Sequence, residues 1–129
     1  MELKTKPKSA RILVAEDAED IARILTVILT REGYTITHAP NGEEAYKLIT
    51  TPPFPDLIIT DIMMPGLSGF ELLSKLKEDN CRIPVIVLTG KESEEDVLKG
   101  FSYGILDYIT KPFIPSVLLA KIKLILSQK

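Results

Sequence analysis

Five times along this chain a short apolar run is followed, within a few residues, by a pattern with helical periodicity, and that alternation limits the fold more than any other property of the sequence. Ile12 to Ala15, Leu57 to Thr60 and Val85 to Leu88 are nearly unbroken apolar stretches, as expected of strands covered on both faces. Thr35 to Ala39 alternates and supplies a second strand, and Asp107 to Thr110 gives a fifth. Between them lie helical patterns: Ile21, Ile24, Leu25 and Ile28 on one face before Gly33, then Ala45, Leu48 and Ile49 after Asn41 and Gly42. Phe70, Leu73 and Leu76 share one stripe of Gly69 to Asp79, and a Ser93-Asp96 capping box opens a helix through Val97, Leu98 and Phe101. The last helix starts at Pro115, a favoured first-turn residue, and runs to Ser127. Thr51 to Pro55 holds three prolines and must be a loop. Strands linked this way form a parallel sheet with helices on both faces, and right-handed crossovers make it a doubly wound α/β sheet. Ligands in such a sheet sit outside the carboxyl ends of the strands, where the winding reverses.

The 129 residues suit one domain, placed at 10–129, behind a polar and aperiodic lead-in at 1–9 that is expected to be flexible. A chain this long buries on the order of two-thirds of its unfolded surface and needs no covalent staple. The net charge of -2 lacks the wholesale attraction of a dedicated nucleic-acid binder, so no direct nucleic-acid partner is expected. Cys81 alone excludes a disulfide framework and a multi-cysteine zinc site. No apolar run approaches the roughly 18 residues of a membrane span, and Lys4, Lys6 and Lys8 precede no hydrophobic block, so neither membrane nor secretion is expected. The expected location is the cytoplasm.

The strands are apolar but their carboxyl ends are not. Strand one ends in Glu16 and Asp17, strand three in Asp61, strand four in Thr89 and strand five in Lys111. Three clustered carboxylates repel one another unless a hard cation lies between them, and an oxygen-only donor set favours Mg²⁺ over zinc. Lys111 and Thr89 add a positive charge and a hydroxyl of the kind that stabilise a phosphoryl group in transfer, and an aspartate can act as the nucleophile. Singly, each residue has an ordinary reading: Asp61 and Thr89 as turn or cap residues, Lys111 as a surface charge, Glu16 and Asp17 as acids at a helix start. Their convergence on one sheet edge is the specific signal.

Ile12 to Asp17, Asp61 with Ile62-Met63-Met64-Pro65-Gly66, the Thr89-Gly90 turn and Asp107-Tyr108-Ile109-Thr110-Lys111-Pro112-Phe113 together resemble a response-regulator receiver domain over about residues 10 to 127. The resemblance implies a flavodoxin-like (βα)5 sheet in the order 2-1-3-4-5, with Asp61 accepting a phosphoryl group from a phosphohistidine on a sensor histidine kinase or phosphotransfer protein. It implies Mg²⁺ held by Asp17, Asp61, the Met63 backbone carbonyl and, through water, Glu16. It further implies Lys111 as the phosphate-pairing lysine, Thr89 and Tyr108 as the switch, and a cis Lys111-Pro112 bond. In the implied switch, Thr89 moves to the phosphoryl group and Tyr108 turns inward, changing the surface of the fourth helix, fifth strand and fifth helix where an output protein or a second copy docks. Such a domain catalyses only its own phosphorylation and slow loss of the group, and is not otherwise an enzyme.

Several positions depart from that family pattern. Glu16 stands where Asp is usual, Gly90 where Ala is usual, and Ile105-Leu106-Asp107 where Ala-Asp-Asp or similar is usual. Ile105 reads as core, whereas Leu106 replaces a normally solvated acid. On the last helix Leu118, Leu119, Ile122, Ile125 and Leu126 fill one face, while Val117, Ala120 and Leu124 form a second stripe that is an interface candidate together with Leu106. Val117 stands where DNA-binding relatives carry a dimer-forming Glu. Met63 and Lys91 flank the site at the positions that tune hydrolysis in the family, and bulky, apolar Met63 predicts slow hydrolysis. His38 is expected at the surface away from the acidic edge, and Cys81 half-buried without a partner.

A haloacid-dehalogenase-type phosphatase also has a nucleophilic aspartate at a strand end, but it needs a second Asp where Met63 stands. A flavodoxin-like carrier needs a hydroxyl-rich phosphate loop where Glu16 and Asp17 stand. A phosphorylation-independent scaffold is the remaining alternative. With about 118 residues accounted for by the receiver pattern, the chain is expected either to act alone by docking or to be cut from a longer regulator.

Overall fold

β3 (Leu57–Thr60) and β4 (Val85–Thr89) are buried along their whole length, and so is β1 (Arg11–Ala15) after its first residue. They form the middle of a five-stranded sheet, as strands too apolar for an exposed face must. The flanking strands are β2 (Thr35–Ala39), mostly exposed, and β5 (Asp107–Thr110), and the order is β2-β1-β3-β4-β5 with every pair parallel. The computed structural model describes residues 10–90 and 94–127. The lead-in, Lys91 and Ser93 of the expected capping box lie outside them. The helices are α1 (Glu19–Arg31), α2 (Gly42–Ile49), α3 (Gly69–Glu78), α4 (Glu94–Ser102) and α5 (Pro115–Leu126), so each expected element is present.

Strand alternation divides the core into two layers. Ile12, Val14, Ile59, Ile86 and Leu88 meet Leu25 and Leu29 of α1 and Leu118 and Ile122 of α5. Leu13, Ala15, Ile58, Val85 and Val87 meet Ala45 and Ile49 of α2 and Leu72, Leu73 and Leu76 of α3. Fully burying one such side chain contributes about 1.5–3 kcal/mol, so docking sets the rotation of each helix.

That rotation differs from the sequence reading in α1 and α3, and in α4 it supplies what the sequence left open. In α1 the buried set is Ala22, Leu25 and Leu29, while Ile24, about 100° around the helix from Leu25, is half exposed. In α3 Leu72 is buried and Phe70 is only half-buried, its ring 6.3 Å from that of Tyr103. In α4 Leu98 and Phe101 face outward and Gly100 is buried, because Tyr108 occupies the space beneath the helix. Ile105 is buried as core, and Cys81 is half-buried and unpaired. Among the described residues no helix is long and apolar enough to cross a membrane.

Candidate functional site

Register places the acids. Ala15 pairs with Thr60, so Glu16 and Asp61 leave neighbouring strands at the same level, and the Asp61 amide donates to the Ala15 carbonyl at 3.0 Å. Thr60 pairs with Val87, which puts Thr89 one residue beyond the level of Asp61 along β4, and Thr89 pairs in turn with Thr110, next to Lys111. Glu16, Asp61 and Thr89 are all buried, and Asp17 is exposed. Five residues from four strand ends thus gather on one edge, as expected from the sequence.

Lys111 joins the acids: its Nζ donates to Glu16 Oε1 at 2.9 Å and to Asp61 Oδ2 at 2.8 Å. The other oxygen of Glu16 accepts the Ala18 amide at 3.1 Å. Asp61 Oδ1 accepts the Ile62 amide at 2.6 Å and, more weakly, that of Met63 at 3.4 Å. Burial pushes the Glu16 carboxyl above its ordinary value of 4.5, and the Asp61 charge adds to this against the opposing Lys111 ammonium and Ala18 amide. For Lys111, burial acts downward but is outweighed by the hydrogen bonds to Asp61 and Glu16 and by their charges, so the amine is held above 10.5.

Among the described residues, the Lys111 ammonium pairs with two of the three carboxylates that cluster here. Oxygens of Glu16, Asp17 and Asp61 lie within 4.8 Å of one another, close enough for a single ion to reach all three directly or through water. The donors are hard oxygens and Asp17 opens to solvent, which fits a small divalent cation that keeps several waters. The structure therefore gathers the carboxylates predicted as metal ligands. Met63 is 75% exposed.

The loop between β3 and α3 is tied down by groups the sequence reading did not single out. A Cβ on Gly69 would overlap the Asp61 carbonyl oxygen, so only glycine allows this approach, and the Gly69 amide donates to the Ile62 carbonyl at 2.8 Å. Ser68 and Glu71 form a capping box, and Glu43 of α2 accepts the Leu67 amide at 3.1 Å. A Ser-x-x-Glu spacing could have revealed the first, but Glu43 carries no sequence signal that separates it from Glu44. His38 is exposed as expected, yet it is not away from the acidic edge: its Nε2 lies 2.7 Å from the Glu16 carbonyl oxygen. The parallel register explains this, since His38 pairs with Val14, two residues before Glu16.

Tyr108 is half-buried beneath α4, its hydroxyl donating to the Asp96 carbonyl at 2.8 Å and its ring edge-on to Phe101 at 5.5 Å. The Lys111-Pro112 bond is cis. Leu106, Val117, Ala120 and Leu124 are all exposed, so the second stripe of α5 is not absorbed into the core. Lys121 and Asp107 between them pair at 2.7 Å.

The family model of the response regulator receiver domain matches residues 12–123. The chain belongs to this family. Among curated relatives, the alkaline phosphatase synthesis transcriptional regulatory protein PhoP of Bacillus subtilis is 41% identical over 116 residues, covering 90% of this chain and 48% of its own. The phosphate regulon transcriptional regulatory protein PhoB of Pseudomonas aeruginosa is 41% identical over 117 residues, covering 89% and 51%. This receiver chain thus spans about half the length of those relatives. Among solved structures, the receiver domain of Francisella response regulator 1452 superposes with a TM-score of 0.87 at 35% identity, over 93% of this chain and 98% of the other. The flavodoxin-like order of strands in this receiver is the one the resemblance implied.

Proposed function

We propose that this receiver is a phosphorylation-driven switch in which Asp61 takes a phosphoryl group from a phosphohistidine on a sensor histidine kinase or phosphotransfer protein, with Mg²⁺ as cofactor. The supporting observation is the shared Lys111 bridge: the candidate nucleophile and a candidate metal ligand are buried side by side with a counter-charge already on both. The Asp61 carboxylate attacks phosphorus, the P–N bond to the imidazole breaks, and the departing nitrogen takes up a proton. Asp17, Asp61, the Met63 carbonyl and Glu16 would hold Mg²⁺, which when bound supplies positive charge against the equatorial oxygens. Lys111 Nζ turns from the carboxylates to the new phosphoryl oxygens, and the Thr89 hydroxyl donates to another. Phosphorylation adds about -1.5 to -2 charges, enough to bias an existing two-state equilibrium of the fold. Mixing the chain with Mg²⁺ and acetyl phosphate tests this: intact mass should rise by one phosphoryl group. An unchanged mass would leave the phosphorylation-independent scaffold as the better reading.

Two predictions concern the flanks of the site. Met63 offers no group to orient a water, so Met63→Asn should speed loss of the phosphoryl group severalfold, read as the decay of the adduct by mass. An unaltered decay would remove Met63 from a rate-tuning role, and Lys91 would be tested in the same way. On the output side, Leu98, Phe101, Leu106, Val117 and Leu124 expose apolar surface on α4, α5 and the approach to β5. We assign this face to an apolar docking contact with a second copy or an output protein. Leu124→Asp should weaken self-association or partner titration in the phosphorylated state at least tenfold by analytical ultracentrifugation, since it would bury a charge in an apolar contact. Equal association of both forms would sink that assignment.

The relatives are named as transcriptional regulators. The expectation of no nucleic-acid partner is therefore confined to the receiver residues themselves, and an output through DNA is a proposal for proteins that join such a receiver to a further module.

A further inference from the structure

Gly100 is buried in the last turn of α4, and within a helix glycine is the poorest former after proline. Its surroundings show what it makes room for. A Cβ on Gly100 would overlap the Tyr108 hydroxyl oxygen and lie 2.9 Å from Tyr108 Cζ and 3.1 Å from Ile105 Cδ1. The hydroxyl that fills this space donates to the Asp96 carbonyl at 2.8 Å, with the Val97 carbonyl at 3.4 Å, and the ring packs edge-on against Phe101 at 5.5 Å. Tyr108 thus touches residues one turn apart along a single side of α4, on either side of the bare Cα.

We infer that Gly100 is the positioning residue of the switch: its missing side chain forms a notch in α4 that admits the Tyr108 hydroxyl, so the ring lies inward only while α4 presents that notch. The inference rests on the proposed reading of Tyr108 as a switch residue. Because the hydroxyl is held by the helix backbone, an inward ring fixes the rotation of α4 and the direction in which Leu98 and Phe101 face, and an outward ring releases both. Gly100 acts through Tyr108 and touches none of the reacting groups.

A thermal double-mutant cycle tests the notch. In a Tyr108→Ala background, Gly100→Ala should raise the Tm by roughly 2–5 °C, the usual gain of alanine over glycine in a helix. With Tyr108 present, the same substitution should lower the Tm. An equal shift in both backgrounds, of either sign, would overturn the inference. If Gly100→Ala alone fails to fold, recovery in the Tyr108→Ala background supports the notch and continued failure overturns it. The second readout is nitration of Tyr108 by tetranitromethane, followed by peptide mass with and without Mg²⁺ and beryllofluoride, an acyl-phosphate mimic. Wild-type nitration should fall severalfold with beryllofluoride, whereas Gly100→Ala should nitrate faster and ignore the mimic. Equal nitration of the two proteins would overturn the notch. Wild-type nitration that ignores beryllofluoride would instead overturn the switch reading of Tyr108, and the melting cycle alone would then decide the role of Gly100.

Discussion

Asp61→Asn is expected to abolish phosphoryl incorporation from acetyl phosphate, leaving intact mass unchanged under conditions that label the wild type fully. The amide keeps one oxygen, which can go on accepting the Ile62 amide in the place of Oδ1, while its nitrogen replaces the Oδ2 that accepts from Lys111, so the ammonium keeps Glu16 alone. What disappears is the negative charge, and with it the nucleophile: a neutral amide oxygen does not form a stable mixed anhydride with phosphate. Circular dichroism should show an unchanged fold, so loss of labelling cannot be ascribed to unfolding. Asp17→Asn is the control, because Asp17 is exposed and makes no bond to Asp61, and its substitution should slow labelling at saturating donor without abolishing it. Full labelling of Asp61→Asn would move the phosphoacceptor elsewhere.

Lys111→Met should have the largest effect on stability. It leaves Glu16 and Asp61 buried side by side without their shared cation, and removing one partner of a buried ion pair typically costs about 3–5 kcal/mol. The 17% exposure of the lysine side chain argues for the bottom of that range, about 3 kcal/mol, in urea unfolding without divalent ions at pH 7. The sign of the pH dependence follows from the two groups. Lys111 is held above 10.5, so its contribution in the wild type is present below that pH and lost as pH rises through the raised value. Glu16 is held above 4.5, so the fold is favoured by its protonation below that pH, and this gain is lost as pH rises through the raised value. Without the ammonium Glu16 moves further up, and the deficit of Lys111→Met should shrink as pH falls from 7 towards 5. Mg²⁺ should recover part of it, because an ion that binds only the folded form stabilises by mass action and no longer competes with the lysine for the same oxygens. A deficit indifferent to both pH and Mg²⁺ would show that the bridge carries little of the electrostatic load assigned to it.

The sheet was legible because its signals are local and repeated: apolar runs such as Val85 to Leu88 have no other comfortable place than a strand covered on both faces. The acidic cluster was legible for the same reason, since the fold carries every strand end to one edge. Helix rotation was less so. Ile24 and Leu25 are equally apolar, and only the shape of the opposing sheet decides that Leu25 docks while Ile24 stays half exposed. The place of His38 depended on cross-strand register, which the sequence of β2 does not carry. In α4 the sequence marked a helix through Val97, Leu98 and Phe101 but not its docked face, which is set by Tyr108, a residue of another element that takes the space beneath and leaves Gly100 inside. Contacts between elements distant in sequence, such as Glu43 with Leu67, leave no periodicity to read.

The strand order has a consequence for how far a signal must travel. Asp61 directly follows β3, Tyr108 lies on β5, and only β4 separates the two strands. At about 4.8 Å between neighbouring strands, the proposed route from Asp61 to Tyr108 is a sideways step of roughly 10 Å across hydrogen-bonded backbone. The backbone along it is continuous: the Lys111 amide donates to the Thr89 carbonyl at 2.8 Å, so in the proposed switch a shift at the end of β4 would reach the strand that carries Tyr108. The opposite flank, where β2 closes the sheet, lies off this proposed path, yet it meets the acidic site through His38, whose Nε2 lies 2.7 Å from the Glu16 carbonyl oxygen.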